Sequence, residues 1–130
     1  MPTRVEIRHA IVDALNTVPG LTVRYEQHIS DLASVMPAGV VYFDSISVEE
    51  DLKGGRKYQG TLGVSVFQSG VDDDIDPLVD QVIAATDAAI QAPNALGTAW
   101  TLDNIQYDHE MQPGTVGVTL TYSIWFTDDG

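Results

Sequence analysis

Between Tyr58 and Ile90 an alternating strand, an acidic run and an amphipathic helix follow one another, and that order restricts the chain to folds that lay a helix across a sheet. In Tyr58-Gln-Gly-Thr-Leu-Gly-Val-Ser-Val-Phe67, Leu62, Val64 and Val66 fall on one face and Thr61, Gly63 and Ser65 on the other. This is the period-two pattern of a half-buried strand. The pattern stops at Ser69-Gly70. Asp76 before Pro77 reads as an N-cap followed by proline at the first helical position, where no N–H is needed. Leu78, Val79, Val82, Ile83 and Ile90 continue at helical spacing and Pro93 stands just past the last turn, which predicts a helix of about four turns with its apolar face on the sheet.

The flanking segments extend the same plan. Thr3 with Glu6 matches a capping box, and Ile7, Ala10, Ile11, Ala14, Leu15 and Val18 form one apolar stripe that ends at Pro19-Gly20, predicting a helix over residues 4–17. Leu21 to Tyr25 alternates and is a candidate strand, whereas 26–36 carries no pattern and reads as loop. Val40-Val-Tyr-Phe43 through Ile46 and Val48 is β-branched and aromatic, a strand with one buried face. The double glycine in Glu49-Glu-Asp-Leu-Lys-Gly-Gly-Arg-Lys57 predicts a charged hairpin connection longer than a tight turn, either solvated or touching another molecule. Residues 98–107 and 116–126 form a final strand pair around the turn signal Gln112-Pro-Gly-Thr115. In the last strand Val118, Leu120, Tyr122, Ile124 and Phe126 share one face. Thr119, Thr121, Ser123 and Trp125 share the other, a polar face that must meet solvent or another subunit. The order is α-β-β-β-α-β-β. The expected fold is one α+β (α/β) domain over residues 1–130, a largely antiparallel or mixed sheet of four to five strands with two helices packed on one face.

Six Lys and Arg against nineteen Asp and Glu give a net charge of −13. Such a surface repels phosphate backbones and anionic lipid, so no direct nucleic-acid or membrane contact is expected. The acidity serves solubility or meets a basic partner, and composition alone leaves both open. No cysteine is present, which removes disulfides and thiolate metal sites. The first twenty residues lack the pattern of a signal peptide and no apolar run reaches spanning length, so a soluble domain is expected.

No catalytic site is legible. The densest charge is Asp72, Asp73, Asp74 and Asp76; carboxylates there suit a hard divalent cation, with Asp72, Asp74 and Asp76 as the candidate ligands. An EF-hand does not fit, because its sixth position from Asp72 is Pro77 and its twelfth is Ile83. The competing reading is a helix N-terminus whose orphan N–H groups attract acids. His9, His28 and His109 fall in separate segments without zinc-ligand spacing, and no nucleophile elbow or phosphate-cradling glycine loop occurs.

Taken whole, the chain resembles the tail terminator proteins of long-tailed bacteriophages, in particular the minor tail protein U family of lambda-like siphophages. The resemblance runs end to end through Arg4-Val-Glu-Ile-Arg-His-Ala-Ile-Val-Asp-Ala-Leu15, the strand from Tyr58 to Phe67, the acidic approach from Asp72 to Asp76 into the second helix, and Val118-Thr-Leu-Thr-Tyr-Ser-Ile124. It implies a non-enzymatic virion protein, made in the host cytoplasm, that forms a hexameric ring at the head-proximal end of the tail. Such a ring stops tube polymerisation and presents a surface for head attachment. The implied partners are other copies of itself, the major tail tube protein and the head-completion protein. A neck or head–tail joining protein is the neighbouring alternative, and a divalent-metal-dependent enzyme using the Asp72 to Asp76 cluster a more distant one. A closed ring needs two complementary patches per subunit. The candidates are Glu49, Glu50, Asp51, Lys53, Arg56 and Lys57, acidic neighbours Asp72, Asp73 and Asp74, and an exposed Trp125. No cofactor is implied, although a divalent cation that screens the shared negative charge would assist assembly.

Overall fold

Residues 4–23, 37–52, 55–69, 75–91, 99–112 and 115–128 are described by a computed structural model. Helix α1 covers Arg4–Leu15. It carries the predicted stripe, since Ile7, Ile11 and Leu15 are fully buried, and Val12 joins them. Its end comes two residues before the expected one. The N–H groups of Thr17 and Val18 turn back to the carbonyls of Ala14 and Leu15 at 3.1 and 3.0 Å, and the Thr17 hydroxyl also donates to Ala14 at 2.6 Å. Bonds of this shorter span tighten the last turn and consume the orphan carbonyls. Gly20, at φ 79°, then reverses the chain in a conformation glycine alone adopts freely. Thr3 of the expected capping box lies outside the described residues.

The chain next enters β1 (Thr22–Val23), the short strand within the candidate segment. Thr22 donates to the Pro37 carbonyl at 3.0 Å and Val23 to the Asn16 side-chain oxygen at 3.3 Å, so β1 is tied both to the sheet and to the end of α1. The expected loop over 26–36 lies outside the described residues. Strands β2 (Ala38–Leu52), β3 (Gly55–Ser69), β4 (Ala99–Gln112) and β5 (Thr115–Asp128) complete a five-stranded sheet in the order β1-β2-β3-β5-β4. β1 runs parallel to β2, and every other pairing is antiparallel.

Two local expectations are corrected. The stretch from Glu49 to Lys57 is not a long loop: pairing continues through Glu50↔Lys57, Asp51↔Arg56 and Leu52↔Gly55, leaving only residues 53 and 54 between the strands. Residues that signal a loop in isolation extend the strands here. Helix α2 (Asp76–Gln91) likewise begins differently. Val79 donates to the Ile75 carbonyl at 3.0 Å, which makes Ile75 the cap and Asp76 the first helical residue. Ile75 is buried and anchors the turn in the core, while Pro77 still occupies a position whose N–H would have no helical partner.

The core lies between the helices and one face of the sheet. Val41, Leu62, Val64, Val66, Val118, Leu120, Tyr122, Ile124 and Phe126 line the sheet side, and Ile7, Ile11, Leu15, Leu78, Val79, Val82 and Ile90 the helix side. The alternation expected in the last strand is therefore observed residue for residue. Because β5 lies between β3 and β4, α2 carries the chain across the face of β5. Two polar groups are trapped in this layer: the Tyr122 and Thr86 hydroxyls are buried beside one another, and among the described residues neither has a hydrogen bond of good geometry. Burial drives the Tyr122 phenol well above its ordinary value, the Asp87 carboxylate adds to the shift, and the neighbouring Thr86 hydroxyl opposes it.

Tyr122→Phe deletes a buried hydroxyl that has no hydrogen bond of good geometry among the described residues, so stability at about pH 8 should change by less than about 1 kcal/mol in urea unfolding. Alkali separates the two proteins. Unfolded chains ionise as pH rises through 10.0 while Tyr122 in the folded chain stays protonated, so the parent loses stability above that pH. The same titration on Tyr122→Phe should show a smaller alkaline loss; equal losses would mean that Tyr122 is not the buried phenol responsible.

Candidate functional site

On the side of the sheet away from the helices, the alternate residues of four strands form a continuous face. Register places Tyr42 opposite Gly63, Ser45 opposite Thr61 and Ser47 opposite Gln59. Across the next pairing Ser65, Gly63, Thr61 and Gln59 meet Thr119, Thr121, Ser123 and Trp125. Gln106, Asn104, Thr101 and Ala99 of β4 extend the same rows. The middle of this face is thus uncharged and rich in hydroxyls, in a chain whose net charge is −13.

These hydroxyls are linked across strands. Ser65 Oγ lies 3.0 Å from Thr119 Oγ1 and 3.4 Å from the Tyr42 hydroxyl, so one chain of hydrogen bonds joins β2, β3 and β5. Ser123 donates to the Asp103 carboxylate, joining β5 to β4. Gly63 is required beneath Tyr42, because a Cβ there would stand 2.4 Å from Tyr42 Cζ. Glycine inside a strand marks a close approach of this kind. Gly60, on the core face, leaves room in the same way for Phe43, whose ring lies 6.1 Å from Phe126. Tyr58 stacks on the other aromatic neighbour of that cluster, 5.2 Å from Phe126.

The residues singled out from sequence divide among three places. Glu49, Arg56 and Lys57 are exposed at the far end of the β2–β3 hairpin, with Glu50 and Asp51 in the same ladder. Register sets Arg56 between Asp51 on one side and Asp128 on the other, and Lys57 opposite Glu50. The basic pair thus has acidic neighbours within its own chain. Trp125, expected to be exposed, is half-buried on the hydroxyl face between Gln59 and Ala99. Asp76 accepts a hydrogen bond from the Tyr107 hydroxyl, tying the start of α2 to β4. Lys53, Asp72, Asp73 and Asp74 lie outside the described residues, and among those described no three His, Asp or Glu side chains converge as a metal site. Tyr42, Gly63 and Asp103 were not singled out. The signal available for Gly63 was a glycine at an outward position of an otherwise regular strand.

No family model matches the chain, and no curated protein matches it. Among solved structures it is similar to a chain in the virion of a native gene transfer agent particle, with a TM-score of 0.42 and 10% identity over 91% of this chain and 84% of that one. It is also similar to a crystal structure from Akkermansia muciniphila, with a TM-score of 0.40 and 12% identity over 94% of this chain and 74% of that one. Likeness at this level carries no argument about role.

Gly63→Ala should force Tyr42 off the face and cost about 1–2 kcal/mol in denaturant unfolding. In a Tyr42→Ala background the same change should cost nothing, because the obstructing ring is gone. An undiminished cost in that background would show that something other than Tyr42 demands the glycine.

Proposed function

We propose that this chain is a structural protein of a phage particle, a subunit of the hexameric ring that ends the tail tube and offers a surface for head attachment. The observation that carries the reading is the end-to-end resemblance of its segments to tail terminator proteins, in order and spacing. The architecture is compatible with that role in a specific way. A sheet with helices on one side leaves the other side for contacts, and the middle of that side is hydrogen-bonding and cross-linked by its own side chains, with charge at its borders, Asp103 and Lys57 among it. Short hydroxyl side chains already tied to one another lose little freedom when a second surface covers them.

In this reading the chain has no catalytic role. The engagement of Asp76 by Tyr107 weighs against its use as a metal ligand in the enzyme alternative. The partners are further copies of the chain, the tube protein and the head-completion protein. Subunits of charge −13 repel one another, so ring closure is favoured when salt or magnesium screens them.

Light scattering at low and high ionic strength, with and without magnesium, tests the proposal. A hexamer's mass is expected, with its population rising as salt or magnesium is added. A monomer in every condition, together with failure to co-sediment with assembled tail tubes, would overturn the ring. Capture of a neck protein instead of tube protein would move the chain to the adjoining layer of the particle.

A further inference from the structure

Of the three long antiparallel pairings of the sheet, two are irregular and one is not. β3 and β5 pair from Arg56↔Asp128 to Ser69↔Thr115 without a break. All the register shifts fall where β2 and β4 meet these central strands, and in each the extra residues belong to β2 or β4. Among the described residues those are the edge strands: β4 ends the sheet, and β1 covers β2 at Ala38 and Gly39. On β2 the extra residues are Asp44, between Phe43 and Ser45, and Glu49, between Val48 and Glu50. On β4 the extra residue between Leu102 and Asn104 is Asp103, and a longer irregularity between Asp108 and Gln112 includes Glu110. With acids at 19 of 130 positions, an acidic residue at each of the three single-residue bulges is more than composition supplies.

We propose that these acidic bulges hold both sheet edges closed to a strand from a second copy of this chain, and that removing their charge lets β4 of one copy pair with β2 of the next. An edge strand offers unpaired N–H and C=O groups to any passing strand. Here the two edges are long, 15 and 14 residues, and well matched in length. A bulge breaks the ladder that an incoming strand must continue, setting two residues against one. The acid at that point must also lose its water when the strand arrives. When the incoming strand is the other edge of an identical chain, it brings acids of its own, and like charges placed across a ladder oppose pairing. Asp103 shows how the bulge aims its charge: the carboxylate is held over the hydroxyl face by Ser123. The inference is independent of the ring reading, since it concerns surfaces that copies avoid while charged, whatever other contacts they use.

The test compares Asp44→Asn/Glu49→Gln/Asp103→Asn with a control that removes the same charge from the helices, Glu6→Gln/Asp13→Asn/Asp80→Asn. Self-association is read by sedimentation and the edges by amide hydrogen exchange. The bulge variant should associate at least tenfold more tightly than the equally charged control, with slowed exchange along residues 103–108 and 44–49 that the control does not show. Equal tightening in both variants would assign the effect to net charge, and no tightening in the bulge variant would remove the gate; either result overturns the proposal. So would slow exchange, in the parent, of those amides along 103–108 that point away from β5. If the triple variant does not fold, Asp44→Asn/Glu49→Gln keeps the Ser123 contact with Asp103 and is read in the same way.

Discussion

The unbroken pairing of β3 with β5 is the constraint on which the rest of this structure depends. Because side chains alternate with a period of two, the register Val64↔Leu120 puts Leu62, Val64 and Val66 on the same side as Leu120, Tyr122 and Ile124. A slip by one residue would exchange the core face for the hydroxyl face. Both helices pack on the surface that this register creates, and α2 crosses it directly over β5. Gly60 and Gly63 sit in the same central strand on opposite faces, each admitting a ring from β2. The two faces of one strand thus fix the position of the strand beside it.

That division explains how a chain so acidic keeps a broad uncharged surface. The centre of the sheet is regular, and its outward residues in the middle are serine, threonine and glycine, with Gln59 and Trp125 toward one end and Phe67 toward the other. Among the described residues the acids lie at the hairpin end, on the helices and in the irregular edges. Where opposite charges coincide, at Asp51, Arg56 and Asp128, they lie across neighbouring strands and extend the ladder instead of ending it. The hydroxyl face is therefore bordered by charge without containing it at its middle, and a surface docking there would meet hydrogen-bonding groups first.

Much of this was legible in the residues themselves, and what was not has a physical cause. The two stripes at Ile7, Ile11 and Leu15 and at Leu78, Val79 and Val82 are properties of single helices and can be read from spacing. So can the alternation of β5. Strand order and bulges are properties of pairs, and no single segment contains them: Asp44 looks like any strand residue until Phe43 and Ser45 are matched to Leu62 and Thr61. The hairpin end is hidden for the same reason: Glu50 and Asp51 disfavour a strand alone, and only their register with Lys57 and Arg56 shows that they extend one. Thr86 was invisible as a core residue because a helical threonine is ordinarily exposed, and only the path of α2 over Tyr122 buries it. On the candidate surface, Thr119, Thr121 and Ser123 could be read from β5, whereas the contribution of Tyr42 required knowing that Gly63 lay beneath it.

The arrangement also sets an order of events for the chain as it acquires structure. β2 with β3, and β4 with β5, are hairpins whose strands are separated by two residues each, so their ladders close locally and at little entropic cost. The joint between β3 and β5 is different: it brings together segments separated by the whole of α2 and β4. Hairpins form in microseconds, and long-range pairings are slower. The late step is then the docking of two preformed hairpins along the seam where the regular ladder and both helices meet. The most regular interface in the molecule is the last to be made, and its failure would leave two hairpins with their apolar faces uncovered.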